Sequence, residues 1–330
     1  MKDIHLGIFG ATGLVGQTMI SLLEERKIPL KNISFFASAR SAGTKIPFRG
    51  KEIEVLELTK ENIEKAGLDV ALSALDSDLA KEFVPYTASL GTTVIDNSSA
   101  FRMDPEIPLI VPEVNGDKIT EDERIIANPN CSTIQSVVPL KPIYDHFGIK
   151  RIIFSTYQST SGSGVNGLKD LEEGIKGNPP SFYPHPIAYN LLPHIDDFLD
   201  NGYTKEEMKM VNETKKILGD DTLGITATAV RVPVRHSHSV SINVETKKSF
   251  TMEEVRKVLE DFPGLIVQDD VANLVYPMTI NTEGKDEVFV GRIRRDESIE
   301  NGINLWCTAD NIRKGAALNT VQILEKYINL

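Results

Sequence analysis

Four glycines recur at every third position near the start of the chain: Gly7, Gly10, Gly13 and Gly16. They lie where a short apolar run, Ile4-His5-Leu6-Gly7-Ile8-Phe9, gives way to a stretch whose apolar residues continue through Met19, Leu22 and Leu23 at helical spacing. Strand, glycine turn and helix in that order let a backbone approach a pyrophosphate placed on the helix N-terminus. The spacing is G-x-x-G-x-x-G rather than G-x-G-x-x-G, and an ordinary strand-turn-helix could also carry it. Ile33 to Ser38 reads as the second strand and ends in Ser38-Ala39-Arg40-Ser41, with no carboxylate to accept ribose hydroxyls. An arginine flanked by hydroxyls suits a 2′-phosphate, which favours NADP over NAD. Val70 to Leu75 and Thr92 to Asp96 read as further strands, separated by a helical stretch, Asp78 to Leu90, with Pro85 near its middle. Alternating strands and helices predict an α/β fold of the Rossmann type, a doubly wound parallel sheet. Asn97 to Arg102 leaves the C-terminal end of a strand, where ligands bind in such sheets, and Arg102 could clamp a phosphate or carboxylate.

With 330 residues the chain is long enough for two domains. Its 47 acidic residues outnumber its 36 basic ones, giving a net charge of -11 with no basic footprint for nucleic acid. Two cysteines far apart offer neither a disulfide framework nor a metal spacing, which suits a reducing cytosol. No apolar stretch is long enough to span a bilayer. Met1-Lys2-Asp3-Ile4 runs straight into a strand, so no signal peptide is expected. The expectation is a soluble cytoplasmic protein.

The stretch Ala127-Asn128-Pro129-Asn130-Cys131-Ser132-Thr133-Ile134-Gln135 sets one cysteine between a proline turn and a run that reads as helix. Asn128 precedes a proline and is pushed out of the α region. The run from Ser132 to Leu140 can be helical until Pro139 and Pro142 interrupt it. Cys131 is thus expected at a helix N-terminus, where unpaired N–H groups and the helix dipole favour a thiolate and could bind an oxyanion. A buried cysteine acting as a small apolar residue is the competing reading.

Beyond it, Arg151 to Gln158 alternates like a strand and leads into Ser159-Thr160-Ser161-Gly162-Ser163-Gly164, small and polar enough to pass close to a ligand. Gln158 at the strand edge would be a polar contact there. Thr204 to Val211 opens a helix with a capping threonine and Glu207 at the capping-box position, a complete structural account of that glutamate. Ile225 to Val234 and Arg235 to Val244 read as two strands, with Pro233 able to kink or break the first, so Arg231 and His238 need not share a face. His238 or His236 is the expected acid/base partner of Cys131. Strands at Asp286 to Arg294 and Ile303 to Thr308 follow, the second with an apolar Cys307 beside Trp306. A helix from Asn311 to Leu330 closes the chain. These elements outline a dinucleotide-binding domain over 1–130, completed by the helix 311–330, and an α+β domain with a mixed sheet over 131–310.

Together, Gly7 to Gly16, Ala127-Asn128-Pro129-Asn130-Cys131-Ser132-Thr133, Tyr157-Gln158 before a Ser/Gly loop, and Arg231-Val232-Pro233-Val234 with His238 resemble aspartate-semialdehyde dehydrogenase. The resemblance runs over nearly the whole chain and in the family's order. It implies NADPH-dependent reductive dephosphorylation of L-aspartyl-4-phosphate in amino-acid biosynthesis, toward lysine (through diaminopimelate), threonine, methionine and isoleucine, by a homodimer without a metal. In that reading Cys131 attacks the acyl carbon, His238 is the general acid/base and Gln158 orients the thioacyl intermediate. Arg231 and Glu207 hold the substrate carboxylate and amino groups, and Asn130, Arg102 and Lys209 bind phosphate. NADP falls to the turn Gly10, Thr12, Gly13, Leu14 and Val15, with Arg40, Ser41, Ser161, Gly162 and Asn311. Ser73-Ala74-Leu75-Asp76 departs from the Gly-Gly pair that the family often has after its third strand. N-acetyl-glutamyl-phosphate reductase is the neighbouring alternative, and a catalytically silent dinucleotide-binding relative would be expected to lack the cysteine or the histidine.

Overall fold

The computed structural model describes residues 4–330; Met1 to Asp3, where the expectation of no signal peptide starts, lie outside them. The chain divides into two compact units, one formed by the residues up to Pro129 with Ala316–Leu330, the other by Asn130–Gly315.

The first unit is built on strands β1 (Ile4–Phe9), β2 (Leu30–Ala37), β3 (Lys45–Phe48), β4 (Lys51–Glu57), β5 (Val70–Ser73), β6 (Thr93–Asp96) and β7 (Ile125–Ala127). Their order is β3-β4-β2-β1-β5-β6-β7, parallel throughout except for the β3–β4 hairpin. Strand order reverses beside β1, the switch point at which doubly wound sheets bind ligands. Both faces are covered, so the central strands are continuous apolar runs rather than alternating ones. On one face Leu6 and Ile8 pack with Met19, Leu22 and Leu23 of the helix Leu14–Glu25 and with Val321 and Leu324 of the last helix, Leu318–Ile328. On the other, Phe9, Phe36 and Ala71 pack with Ile63, Phe83 and Val84.

The last helix starts later than its composition predicts. Asp310 Oδ1 accepts the N–H groups of both Ile312 and Arg313, which holds the chain in a turn, and Arg313–Ala317 is a wider π-type coil before Leu318. Asn311 is therefore a turn residue.

The second unit is a mixed sheet of β8 (Ile149–Gln158), β9 (Gly224–Arg231), β10 (His238–Thr246), β11 (Leu265–Val267), β12 (Val288–Asp296) and β13 (Gly302–Ala309), in the order β11-β12-β13-β10-β8-β9. The strand predicted from Ile225 to Val234 ends at Arg231, and its successor starts at His238 rather than Arg235. Pro233 has no N–H for a ladder, and Ser237 turns the chain with φ 67°. The helix expected to stop at its prolines instead runs unbroken from Cys131 to Phe147, through Pro139 and Pro142. Ser132 to Leu140 are all buried, and packing on every side holds a helix that local propensity would interrupt. Among the described residues no helix is long and apolar enough to cross a membrane.

Candidate active site

Cys131 is the first residue of the 131–147 helix and is half-buried. Asn130 caps that helix: its Oδ1 accepts the N–H groups of Ser132 at 3.0 Å and Thr133 at 3.3 Å. Those two donors, expected to be open for an oxyanion, are thus already engaged. The thiol retains the positive end of the dipole. Gly315 passes directly against it, since a Cβ there would lie 2.9 Å from Cys131 Cβ.

The other end of the Asn130 side chain defines the acid of the site. Its Nδ2 donates to Glu206 Oε1 at 3.0 Å, and Gln158 Nε2 donates to the same oxygen at 3.2 Å. Asn130 N donates to Glu213 Oε2 at 2.6 Å. Glu206, Met210 and Glu213 stand at i, i+4 and i+7 on one face of the helix Lys205–Leu218. Met210 Sδ accepts from Thr133 Oγ1, so that face lies along the start of the cysteine helix. Burial opposes ionisation of Glu206, but the charge of Lys209 and the hydrogen bonds from Asn130, Lys209 and Gln158 outweigh it and hold the carboxyl below its ordinary range. Burial likewise works against the charge on Lys209, yet Glu206 and Asp196, at 3.1 and 2.8 Å, raise its pKa.

Glu207 is elsewhere. Its Oε2 accepts Thr204 N at 2.7 Å in a complete capping box, and its Oε1 accepts Ala229 N at 3.0 Å. One residue is about 100° of helix rotation, and here that rotation decides the matter: the carboxylate among Asn130, Gln158 and Lys209 belongs to Glu206. The capping box made Glu207 conspicuous in the sequence. The signal for Glu206 was its acidic repeat with Glu213 on a helix face otherwise marked by Met210.

Gln158, Arg231 and His238 are all buried and lie at one end of the mixed sheet. Gln158 and Arg231 are direct partners across β8 and β9, and the β8–β10 ladder places His238 at the same level. Arg231 and His238 do share a face: a Cβ at Gly162 would lie 2.9 Å from Arg231 Nη1 and 3.2 Å from His238 Nε2. Arg231 Nη1 donates to Ser159 O at 2.7 Å, while its Nε has no hydrogen-bond partner among the described residues. The His238 carbonyl accepts from Gln135 Nε2 at 3.1 Å, and Gln135 stands one turn from Cys131 on the same helix face. The ring accepts Ser159 N–H on Nδ1 at 3.0 Å and leaves Nε2 without a partner among the described residues. Burial and then the charge of Arg231 pull its pKa down to about 3, against the opposing charge of Glu206 and a hydrogen bond to the Ser237 backbone, so the imidazole is neutral. His236 lies outside this group, 3.8 Å from Glu283.

Asn311 joins the loop to the turn after β13. Its Oδ1 accepts from Ser159 Oγ, Ser161 Oγ and Ser237 N at 3.1, 3.2 and 2.9 Å. In the nucleotide-binding unit Gly10 has φ 76° and Gly16 sits so close that a Cβ would lie 2.3 Å from Gly10 O, a turn that only glycines can form. Gly13 precedes Leu14 and Val15, where the helix begins, and no side chain caps that helix. Thr12 and Arg40 are exposed, Ser41 is half-buried, and no carboxylate follows β2 before Arg40. The cradle fits a dinucleotide phosphate. Arg102 is buried and donates to the carbonyls of Asn128 and Asn97 at 2.9 and 2.8 Å. The departing turn Ser73 to Asp76 ends in Asp76, which caps the helix Ser77–Ser89.

A doubly wound sheet and a separate mixed-sheet unit with a helix-start cysteine, a neutral histidine and a buried arginine fit the semialdehyde dehydrogenase class. Family models agree: residues 5–122 match the semialdehyde dehydrogenase NAD binding domain and residues 140–314 its dimerisation domain. The aspartate-semialdehyde dehydrogenase of Aquifex aeolicus is 52% identical, with 98% of each chain covered. The structure of aspartate semialdehyde dehydrogenase II from Vibrio cholerae complexed with ASA matches with a TM-score of 0.95 at 43% identity, covering 100% of this chain and 99% of its own. The enzyme from Candida albicans with NADP matches at 0.79 and 26% identity, with both chains fully covered. The chain belongs to the aspartate-semialdehyde dehydrogenase family, which decides between the two reductases weighed from sequence.

Proposed function

We propose that this chain reduces L-aspartyl-4-phosphate to L-aspartate 4-semialdehyde and phosphate with NADPH, through a thioacyl intermediate on Cys131, as a cytoplasmic homodimer. The observation that carries this reading is the convergence of Gln158, Arg231, His238 and Glu206 in the unit whose helix starts at Cys131.

The sulfur adds to the acyl carbon as a thiolate favoured by the helix dipole, and phosphate leaves with the electrons of the broken C–O bond. The bound cofactor supplies hydride to the thioester. Arg231, held by Ser159 O through one nitrogen and with Nε still open, offers a guanidinium to the substrate carboxylate. Glu206, ionised and already surrounded by donors, is the group that takes the substrate ammonium, the role the resemblance gave to Glu207. Gln158 orients the acyl group. Asn130 and Lys209 in the second unit are the phosphate candidates there, and Lys209 must loosen from Asp196 or Glu206 to serve; Arg102, in the first unit, is the phosphate candidate the resemblance adds.

The glycine turn with Thr12, Leu14 and Val15 would hold the pyrophosphate, Arg40 and Ser41 the 2′-phosphate, and Ser161, Gly162 and Asn311 the nicotinamide end. The exposed Arg40 without a neighbouring carboxylate supports NADP over NAD, as does the NADP held by the Candida relative. For the dimer, the outer face of the mixed sheet carries a groove of about 640 Å³ lined by Tyr157, Met278, Ile280 and Trp306.

The test is an assay of purified protein with aspartate semialdehyde, phosphate and either NADP or NAD, following the reduced cofactor. Phosphate-dependent turnover with NADP that vanishes in Cys131→Ser is the expected result. Turnover only with N-acetyl-glutamate semialdehyde would overturn the substrate, and equal rates with NAD would overturn the cofactor preference.

A further inference from the structure

We propose that Asp170 and Tyr183 are positioning residues for the reduction: together they hold the loop 159–164 in the shape that receives the nicotinamide end of the cofactor. The inference rests on the reading above and deepens it.

The loop cannot hold itself. Gly162 and Gly164 give it freedom, Gly164 with φ 69°, and its other residues are short and polar. Its first half is tied to the turn after β9, where Thr160 N and Ser161 N donate to Val234 O and Arg235 O at 2.8 and 3.0 Å. Its second half is tied by Tyr183, whose Oη donates to Ser163 Oγ at 3.1 Å. Ser163 is the N-cap of the helix Gly164–Ile175, yet its side chain makes no capping hydrogen bond. A serine at that place ordinarily caps the helix; here its hydroxyl oxygen takes the phenol instead. Gly167 lets the phenol in, because a Cβ there would lie 2.6 Å from Tyr183 Oη and 2.4 Å from Thr160 O. Glycine inside a helix is costly, and this close approach is what requires it.

Asp170, one turn beyond Gly167 on the same helix, seats Tyr183. It is buried, and its Oδ1 accepts Ser181 N, Ser181 Oγ and Phe182 N at 2.6, 2.9 and 3.2 Å. Its Oδ2 accepts Tyr183 N at 2.9 Å. Burial opposes the charge, but the hydrogen bonds from Tyr183, Ser181 and Phe182 hold the carboxyl below its ordinary range. Three successive amides gathered on one carboxylate fix the backbone at Tyr183, and its ring packs on the cluster of Leu171, Ile187 and Leu192. Leu192 N and O then pair with Arg231 O and N at 3.0 and 2.8 Å. The stretch from Ser181 to Leu192 therefore meets the loop at one end and the backbone of Arg231 at the other. Gly162, between the two ties of the loop, is the residue that lies against Arg231 Nη1 and His238 Nε2. A flexible loop held from both sides spares a ligand the entropy of ordering it.

The test is calorimetric titration of the purified protein with NADP and, separately, with adenosine 2′,5′-bisphosphate, which has the phosphorylated ribose and no nicotinamide. Tyr183→Phe removes one hydroxyl and keeps the ring. It should weaken NADP binding about 3- to 10-fold and leave binding of the fragment unchanged. Asp170→Asn has one acceptor oxygen for amides that two oxygens now serve, so it should unseat the phenol and lose as much, again for NADP alone. Because Asp170 acts through the phenol, the double variant should bind NADP no worse than the weaker single one. Unchanged NADP affinity in Tyr183→Phe, equal losses for the fragment, or additive losses in the double variant would each overturn the proposal. If Asp170→Asn does not fold, Ser163→Ala, which removes the acceptor of the phenol, takes its place in the cycle. Wild-type protein that does not bind NADP overturns the cofactor reading and the proposal with it. Wild-type binding with unaltered variants overturns the proposal alone.

Discussion

Both cysteines touch the same helix, and almost nothing else about them is alike. Cys131 begins it, half-buried, at the end where polar groups converge. Cys307 lies on β13, fully buried, and its Sγ donates at 3.1 Å to the carbonyl of Gln135, one turn further along. That carbonyl would ordinarily accept the N–H of residue 139, which is a proline and has none. The second thiol therefore satisfies a backbone group that Pro139 leaves open, and this is one reason the helix passes through a proline unbroken. Burial pushes the Cys307 thiol well above its ordinary pKa, so it stays protonated and a donor. On the function proposed above, one helix has a reactive end and an architectural middle, set by whether the surroundings welcome a sulfur anion or exclude it.

The sharpest way to break this contrast is to truncate both sulfurs. Cys131→Ala should lower turnover by about 10⁴-fold or more while leaving the melting temperature nearly unchanged. Cys307→Ala should do the reverse, costing about 1–3 kcal/mol for the stranded carbonyl with kcat kept at temperatures below melting. Steady-state kinetics and thermal unfolding of both variants decide it. Comparable loss of activity in Cys307→Ala would mean that the middle of the helix is not architectural alone.

Adjacent glutamates repeat the division on the helix Lys205–Leu218. Glu206→Gln should reduce kcat/KM by about 10²-fold, roughly 2.7 kcal/mol of transition-state binding, because the substrate ammonium loses its anion. Glu207→Gln should instead cost about 1–2 kcal/mol of stability, because a carboxamide has one acceptor oxygen for the two N–H groups, of Thr204 and Ala229, that the carboxylate satisfies, with kinetic constants preserved. Exchange of these two phenotypes would return the substrate role to Glu207.

A smaller effect tests the carbonyl argument itself. Pro139→Ala supplies an N–H for Gln135 O, so the penalty of Cys307→Ala should shrink by about 1 kcal/mol in that background. Additive costs in the double-mutant cycle would show that the thiol does not replace the missing donor.

The nucleotide-binding half was legible because its demands are local. Gly10 and Gly16 are forced by a positive φ and by a contact with Gly10 O, and such demands leave a spacing in the sequence. In the second unit the sequence offers candidate residue types but little of their geometry. Cys131, Gln158, Arg231 and His238 could be named, but that Arg231 and His238 share a face depends on the turn between β9 and β10 and on Gly162 lying against both. Glu206 was hidden beside a glutamate with a strong local explanation. The continuous helix through Pro139 and Pro142 was unreadable locally, since its support comes from Cys307, 168 positions beyond Pro139 in sequence.

A last contrast separates the buried groups of the site by pH. His238 has its pKa lowered from 6.5 to about 3, so the unfolded chain binds a proton that the native one refuses. The stability this withholds is fully present above pH 6.5 and declines as the pH falls toward 3. Glu206 is depressed from its ordinary value of 4.5, so its contribution is intact above that pH and is lost as the pH drops through its lower native value. Denaturant unfolding across the acid range should therefore show stability falling first through the histidine window and then through the carboxylate one. His238→Gln should flatten the upper slope and Glu206→Gln the lower. If His238→Gln left the slope between pH 6.5 and 4.5 unaltered, the native ring would have to carry a proton there, a buried cation beside Arg231 instead of a neutral imidazole.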